Sequence, residues 1–401
     1  MRAQDRQQTG AAGAAPQAAH LPRRFMVLTG KRGGFGAMKP MLRMLRDDAE
    51  LSLQLVVTDQ HVSDRFGRTM REVEREFEIA AAVDLEQAND TALGRAQAMG
   101  RCGDRMAKVI DDLGPDICLL YGDRGEVLAT AMAATLLDVP IAHIQGGDVS
   151  GSLDENFRHA VTKLSHLHFP SIPSSAERIK AMGEEPWRIH VVGDSHLDGI
   201  LAGDYAPGRE VAAKLGLDAS RPVVVVLQHS ETTEPERAYD QMRETLLAVR
   251  DSAQQAVVIY PCSDQGYEGV IAAIKELALP PQFQVHVNLD APVFWGLLSI
   301  ASVMVGNSSA GLIETPTFRL PAVNVGRRQE GRLRAENVID VPHQRAAIAA
   351  AIERALHDGE FRAAVASCRQ PYGDGHAGKR IVEIVRNTPI DRKLLVKRMT
   401  Y

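Results

Sequence analysis

The segment Gly306-Asn307-Ser308-Ser309-Ala310-Gly311-Leu312-Ile313-Glu314 places two hydroxyls directly after an apolar run that ends at Val305. A strand ending there, followed by a Gly-Asn turn, lets Ser308 and Ser309 open a helix. Free backbone N–H groups and two hydroxyls at a helix start form an anion site that fits a diphosphate without any GxGxxG pattern. Glu314 falls more than one turn further on, where a carboxylate can accept two ribose hydroxyls. Plain N-capping by serine is the competing explanation. The turn Gly326-Arg327-Arg328-Gln329-Glu330-Gly331-Arg332 follows the next apolar run. Its arginines suit phosphate neutralisation, because a guanidinium donates two parallel hydrogen bonds. A solvated charged loop is the alternative.

The densest polar cluster lies between Tyr121 and His159. It holds Gly122-Asp123-Arg124-Gly125-Glu126, then His143-Ile144-Gln145-Gly146-Gly147-Asp148, then Asp154-Glu155-Asn156-Phe157-Arg158-His159. Asp123 and His143 fall at the carboxyl ends of expected strands, the edge at which open α/β sheets bind ligands. Asp154 and Arg158 are four apart and share one helix face; a helix cap with a stabilising pair accounts for either alone. Several carboxylates on one rim would supply the acid and base that proton transfer at carbon requires. In Gly30-Lys31-Arg32-Gly33-Gly34-Phe35-Gly36, glycines let the backbone approach a ligand while Lys31 and Arg32 bring positive charge. The GK[ST] ending of a P-loop is absent, and a flexible strand-to-helix turn is the plain reading. His229 follows the first strand of the second half and should face a cleft. No HExxH or Asp-rich pattern of metal ligands occurs, and no GxSxG elbow.

The elements that must carry these residues alternate. Strands are expected at Phe25–Thr29, Leu53–Thr58, Asp116–Tyr121 and Pro140–Ile144, with helices near Ala37–Arg46, Val127–Leu137 and Asp154–His166. After a junction-like stretch at Asp198–Pro222 the rhythm restarts. Strands then fall at Val223–Gln228, Ala256–Pro261, Gln284–Val287, Val303–Gly306 and Ala322–Val325, and helices at Pro235–Arg250, Tyr267–Leu277 and Val293–Ile300. A last amphipathic segment spans Lys379–Val385. Short apolar runs joined by helix-length connections predict parallel sheets. The fold class is therefore α/β, with two Rossmann-like domains facing a cleft and a closing C-terminal helix. The expected division is a disordered tail over 1–22, domains over 23–203 and 204–375, and a C-terminal helix and tail over 376–401.

A net charge of −5 argues against a nucleic-acid partner. No apolar run approaches the roughly 20 residues that span a bilayer, so no membrane partner is expected. Cys102, Cys118, Cys262 and Cys368 are scattered and read as thiols of a reducing, cytoplasmic compartment. Residues 1–22 lack the apolar core of a secretory signal. An over-called start or an organelle transit peptide are the alternatives to a disordered tail.

Taken together, Gly122-Asp123-Arg124, His143–His159, Gly306–Glu314 and Arg328–Arg332 resemble the hydrolysing UDP-N-acetylglucosamine 2-epimerases of sialic and nonulosonic acid pathways. The resemblance runs from about Phe25 to Val341. It implies a glycosyltransferase-B-like fold, a nucleotide-sugar substrate and no NAD or metal. It also implies anti elimination of UDP to a 2-acetamidoglucal, then addition of water to give N-acetylmannosamine. A homo-oligomer is what the resemblance suggests. Asp123 and Asp154 match the family's catalytic carboxylates, and Arg32, His229, Ser308, Ser309, Glu314 and Arg328 its nucleotide contacts. Gln145, Asp148 and His229 join the candidate catalytic set, and Arg124 and Arg158 the candidate substrate-binding set. The chain departs from the family where Lys31, Gly34 and Phe35 replace Thr, Asp and Tyr, where Gln145 replaces a Glu and Asp148 another, where Ser230 and Glu231 replace Pro and Val, and where Cys262 replaces an Asn. Action on a UDP- or GDP-linked 2,4-diacetamido-trideoxyhexose, a glycosyltransferase of the same architecture, and a non-catalytic sensor are the competing readings.

Overall fold

The computed structural model describes residues 21–401 apart from 88, 219, 254 and 278. The tail expected over 1–22 lies outside the described residues, except for its last two. Two six-stranded parallel sheets organise the chain. The first contains β1 (Arg23–Thr29), β2 (Leu51–Thr58), β3 (Ile79–Val83), β4 (Ile117–Tyr121), β5 (Ile141–Ile144) and β6 (Leu167–Phe169) in the order β3-β2-β1-β4-β5-β6. The second contains β7 (Val223–Leu227), β8 (Gln255–Ile259), β9 (Phe283–His286), β10 (Val303–Gly306), β11 (Ala322–Val325) and β12 (Val338–Val341) in the order β12-β11-β10-β7-β8-β9. Counted from its own first strand, each sheet has the same doubly wound order. The order reverses between β1 and β4 in one sheet and between β7 and β10 in the other, so each has a crevice at its carboxyl edge.

The central strands are apolar on both faces because helices cover both. Val223, Val224, Val225 and Val226 are all buried, as are Ile117, Cys118, Leu119 and Leu120. Each such side chain contributes about 1.5–3 kcal/mol by leaving water. The structure departs from the expected elements at several places. β3, β6 and β12 and the long helix Ala92–Leu113 were not expected. β3 reads Ile-Ala-Ala-Ala-Val, which carries little strand preference, and the helix contains Gly94, Gly100 and Gly103, which weaken helix preference. Its core face is nevertheless regular, with Ala98, Cys102, Met106 and Ile110 all buried. The first helix begins at Arg32, five residues before the expected start, so Gly33, Gly34 and Gly36 belong to it and not to a flexible turn. Pro40 lies inside this helix as well.

The stretch expected to be a junction contains helices His196–Leu201 and Gly208–Lys214. Asp198 is buried there and accepts the backbone N–H groups of Ala377 and Gly378 at 3.0 and 2.6 Å. It thus fixes the start of helix Ala377–Asn387. That helix returns to the first sheet, where Ala377, Ile381 and Val385 join the same apolar cluster as Phe35, Met38 and Met41. None of the described helices is long and apolar enough to cross a membrane.

Candidate active site

The carboxyl edges of the two sheets face each other across one cavity. From the first sheet come Lys31, Arg32, Tyr121, Asp123, Arg124, Gln145, Asp154, Arg158 and His196. From the second come His229, Cys262, Trp295, Ser308, Ser309, Glu314, Arg328, Gln329 and Arg332. Of the candidate residues, only Asp148 is missing from this lining. It is buried beside helix Pro173–Ala181, where it accepts the Ser175 hydroxyl at 2.6 Å. The tight turn at Gly147 (φ +76°) directs the chain away from the cavity just before it.

Asp123 follows β4, and Arg158 pairs with it from helix Asp154–Leu164. The expected pairing of Arg158 with Asp154 does not form; its second guanidinium nitrogen bonds the Asp148 carbonyl at 2.9 Å. Burial would raise the Asp123 pKa. Arg158, Lys31 and Arg332 outweigh it and hold the carboxyl well below the usual range, so Asp123 is an anion at any working pH. Asp154 is the opposite case. Burial, with Asp123 and Asp264 as like-charged neighbours, lifts it to about 6. Two carboxylates in one cavity thus have separated proton affinities, the arrangement from which one can exchange a proton while the other stays charged.

His143 stands behind this pair and does not line the cavity. Its Nε2 lies 2.7 Å from the Gly122 carbonyl and its Nδ1 3.2 Å from the Thr162 hydroxyl. Burial pushes its pKa down to about 3, so it is a neutral brace for the Asp123 turn. Gln145 has φ +63°, a sparsely populated value for a residue with a long side chain. Its amide donates to Asp194 at 2.6 Å. Asp194 also accepts from the Ser171 hydroxyl at 3.2 Å and lies 2.8 Å from His196 Nδ1.

On the facing wall, Gly306 (φ +136°) ends β10. A Cβ there would lie 2.1 Å from the Leu227 carbonyl, so only glycine lets β10 turn this close to β7. Asn307 then ties the two strand ends together: its side chain accepts the His229 N–H at 2.7 Å and donates to the His229 carbonyl at 2.9 Å. The helix that follows is short, Ala310–Ile313, with Ser309 at its N-cap. Ser308 Oγ is only a distant acceptor for Ala310 N–H, at 3.4 Å, so capping does not occupy either hydroxyl fully. Glu314 is buried, raised by that burial, and accepts Trp295 Nε1–H at 2.9 Å. His229 Nδ1 accepts the Cys262 N–H at 3.0 Å, which leaves its proton on Nε2. Burial, with Arg328 nearby, keeps this ring neutral, so His229 serves as a hydrogen-bond donor.

Asp264 was not anticipated. It is buried at the carboxyl side of β8 and pairs with Arg124 of the first sheet and with Arg328 of the second, the latter at 2.8 Å. Burial opposes its charge, and the two arginines override this and hold it well below the usual range. Arg124 is therefore committed to Asp264 and, at 3.0 Å, to Ser263. Arg32 is likewise committed to the carbonyls of Val287 and Tyr260 across the cleft, at 2.9 and 3.3 Å. The Nε groups of Arg124, Arg328 and Arg332 are buried without a hydrogen-bond partner among the described residues. Main-chain contact also bridges the cleft. Gly151 N–H donates to the Arg328 carbonyl at 3.2 Å, and Leu153 N–H to the Thr232 hydroxyl at 3.0 Å. Position along the sheet edge is the one sequence signal that pointed to Asp264, three residues after the expected β8 end at Pro261. Asp194 and His196 carried none, since no strand was expected near them.

The chain matches the family described as UDP-N-acetylglucosamine 2-epimerase over residues 43–386. It is 32% identical to the UDP-N,N'-diacetylbacillosamine 2-epimerase (hydrolyzing) of Legionella pneumophila, over 94% of this chain and all of the relative. It is 31% identical to a UDP-N-acetylglucosamine 2-epimerase of Neisseria meningitidis, over 85% of this chain and 89% of the relative. Among solved structures, a Neisseria meningitidis UDP-GlcNAc 2-epimerase bound to UDP-GlcNAc shares the fold. Its TM-score is 0.76 at 17% identity, covering 91% of this chain and all of that one.

Proposed function

The chain belongs to the UDP-N-acetylglucosamine 2-epimerase family, and on that premise we propose that it hydrolyses UDP-N-acetylglucosamine with inversion at C2, releasing UDP and N-acetylmannosamine. The observation that carries the reading is the opposition of two walls in one cavity. Carboxylates of unequal proton affinity stand on the first sheet, and hydroxyls, a neutral histidine donor and Arg328 stand on the second.

The C2 hydrogen of the sugar is weakly acidic, so cleavage of C1–O leads and positive charge builds at C1. Asp123, held ionised by Arg158, stabilises that charge. Asp154, near neutrality in its proton affinity, takes the C2 proton as C1=C2 forms. The bonding pair of C1–O leaves with UDP, whose diphosphate charge is met by Ser308, Ser309, His229 Nε2–H and Arg328. Donors preorganised in this way are each worth about 2.7–4 kcal/mol in a dry site. Glu314 accepts the ribose hydroxyls. The glycal is then protonated at C2 and takes water at C1.

The test is incubation with UDP-N-acetylglucosamine in D₂O. The expected products are UDP and N-acetylmannosamine deuterated at C2. Free sugar with its original C2–H retained means plain hydrolysis, and accumulation of a UDP-linked epimer means a non-hydrolysing enzyme; either overturns the reading. A second reading, hydrolysis of a UDP- or GDP-linked 2,4-diacetamido-trideoxyhexose, is favoured by the similarity to the Legionella pneumophila relative over 94% of the chain. It predicts a higher kcat/KM for that sugar than for UDP-N-acetylglucosamine.

A further inference from the structure

Inversion at C2 needs two proton carriers, because the hydrogen departs from one face and its replacement arrives on the other. In an anti elimination the first carrier stands opposite the diphosphate and the second on the diphosphate side. Asp154 meets the requirement for one of them. Asp123 cannot be the other, since Arg158, Lys31 and Arg332 keep it charged. His229 cannot either, because its Nδ1 is occupied by the Cys262 N–H and the ring stays neutral. Glu314 is engaged by Trp295.

His196 remains. It lines the cavity, and its environment is that of an acid–base group. Asp194 Oδ1 lies 2.8 Å from its Nδ1 and also accepts its backbone N–H at 3.0 Å. The other Asp194 oxygen is fixed by Gln145 and Ser171 at 2.6 and 3.2 Å. The Tyr121 hydroxyl touches Nδ1 at 3.2 Å. Nδ1 thus keeps its hydrogen toward a carboxylate, and Nε2, which makes no hydrogen bond to the described residues, exchanges a proton. This is the logic by which a buried aspartate orients a catalytic imidazole. Three charged groups act on the ring: Asp194 from its own turn, Glu314 from the nucleotide wall and Lys31 from the turn after β1. Burial lowers its pKa, Asp194 and then Glu314 raise it, Lys31 opposes them, and the balance is upward. His196 stands beside Tyr121 of β4, and Glu314 of the nucleotide wall acts on it across the cavity.

We infer that His196 is the catalytic acid that delivers the new proton to C2, oriented by an Asp194 that Gln145 in turn positions. The inference rests on the proposed elimination and hydration. Nε2–H gives its proton to C2 of the glycal, and the C1=C2 pair forms the new C2–H bond. Water bonds to C1, and the proton it sheds restores the imidazolium. Asp154 returns to solvent the proton it took in the first half. Gln145 then has a role that needs no ionisation. Its strained backbone holds an amide donor on the carboxylate that orients the acid.

The two halves separate experimentally. His196→Gln, given UDP-N-acetylglucosamine, should still release UDP but accumulate 2-acetamidoglucal, with N-acetylmannosamine formation down at least tenfold. Supplied with 2-acetamidoglucal and UDP, it should fail to hydrate what the unaltered protein hydrates. Normal N-acetylmannosamine formation without glycal would overturn the inference while leaving the proposed function intact. Absence of UDP release from the unaltered protein would instead overturn that function. Should His196→Gln not fold, Asp194→Asn decides, because its amide can still face Gln145 and Ser171. Loss of the carboxylate lowers the His196 pKa, so the alkaline limb of glycal hydration should move about one unit toward acid. An unmoved limb would exclude His196 as the acid.

Discussion

Asp123→Asn separates the chemistry from the binding of the nucleotide. Arg158 is 1% exposed, and among the described residues Asp123 is the only carboxylate that pairs with it. After substitution the guanidinium keeps its bond to the Asp148 carbonyl at 2.9 Å and gains at most one amide oxygen. Breaking a buried ion pair costs about 3–5 kcal/mol, and the retained acceptors place this case near 3 kcal/mol. For a domain of this size that lowers Tm by roughly 6–12 °C. The difference depends on pH. Asp123 is depressed in the folded state, so its contribution is present above the ordinary carboxylate value near roughly 4 and is lost as pH falls through the depressed one. The melting difference should therefore shrink in acid. Loss of the charge facing C1 should reduce UDP release by about 10²–10³, while calorimetric UDP affinity stays unchanged. Asp154 loses a like-charged neighbour, so the residual activity should titrate below the value of about 6. A destabilised variant that released UDP at the unaltered rate would refute the placement of the chemistry at this pair.

Three further outcomes follow from the geometry. UDP release should rise with pH through about 6 as Asp154 ionises, and Asp154→Asn should flatten that limb and lower the rate by about 10²–10⁴, measured as kcat/KM against pH. Arg328→Ala should weaken UDP binding roughly ten- to hundredfold by calorimetry, since a hydrogen bond to a charged group is worth about 1.5–3 kcal/mol. Asp198→Ala should remove the cap of helix Ala377–Asn387 and lower stability by about 1–2 kcal/mol in denaturant melts, with kcat and UDP affinity unaltered.

The sequence made the cleft legible because the chemistry sits where apolar runs stop. Asp123, His229 and Ser308 follow β4, β7 and β10, all recognisable as buried strands, and the doubly wound rule assigns function to that edge. Elements with weak local preference were not legible. The Ala-rich β3 and the glycine-bearing helix Ala92–Leu113 owe their form to tertiary packing, and no local signal announces that. Asp148 was misplaced because one left-handed turn at Gly147 decides which way the loop faces. Asp194 and Asp264 escaped for a different reason. Each is fixed by partners distant in sequence, Gln145 and Ser171 for one and Arg124 and Arg328 for the other, and pairings of this kind exist only once the chain is folded.

The position of Asp264 between Arg124 and Arg328 has an electrostatic consequence. The cleft carries its own countercharge, since the Asp264 carboxylate is shared by an arginine from each sheet and ties the two together. An anion beside Arg328 meets a guanidinium whose charge is already shared with a carboxylate, so the attraction at this wall is weaker than a count of arginines suggests.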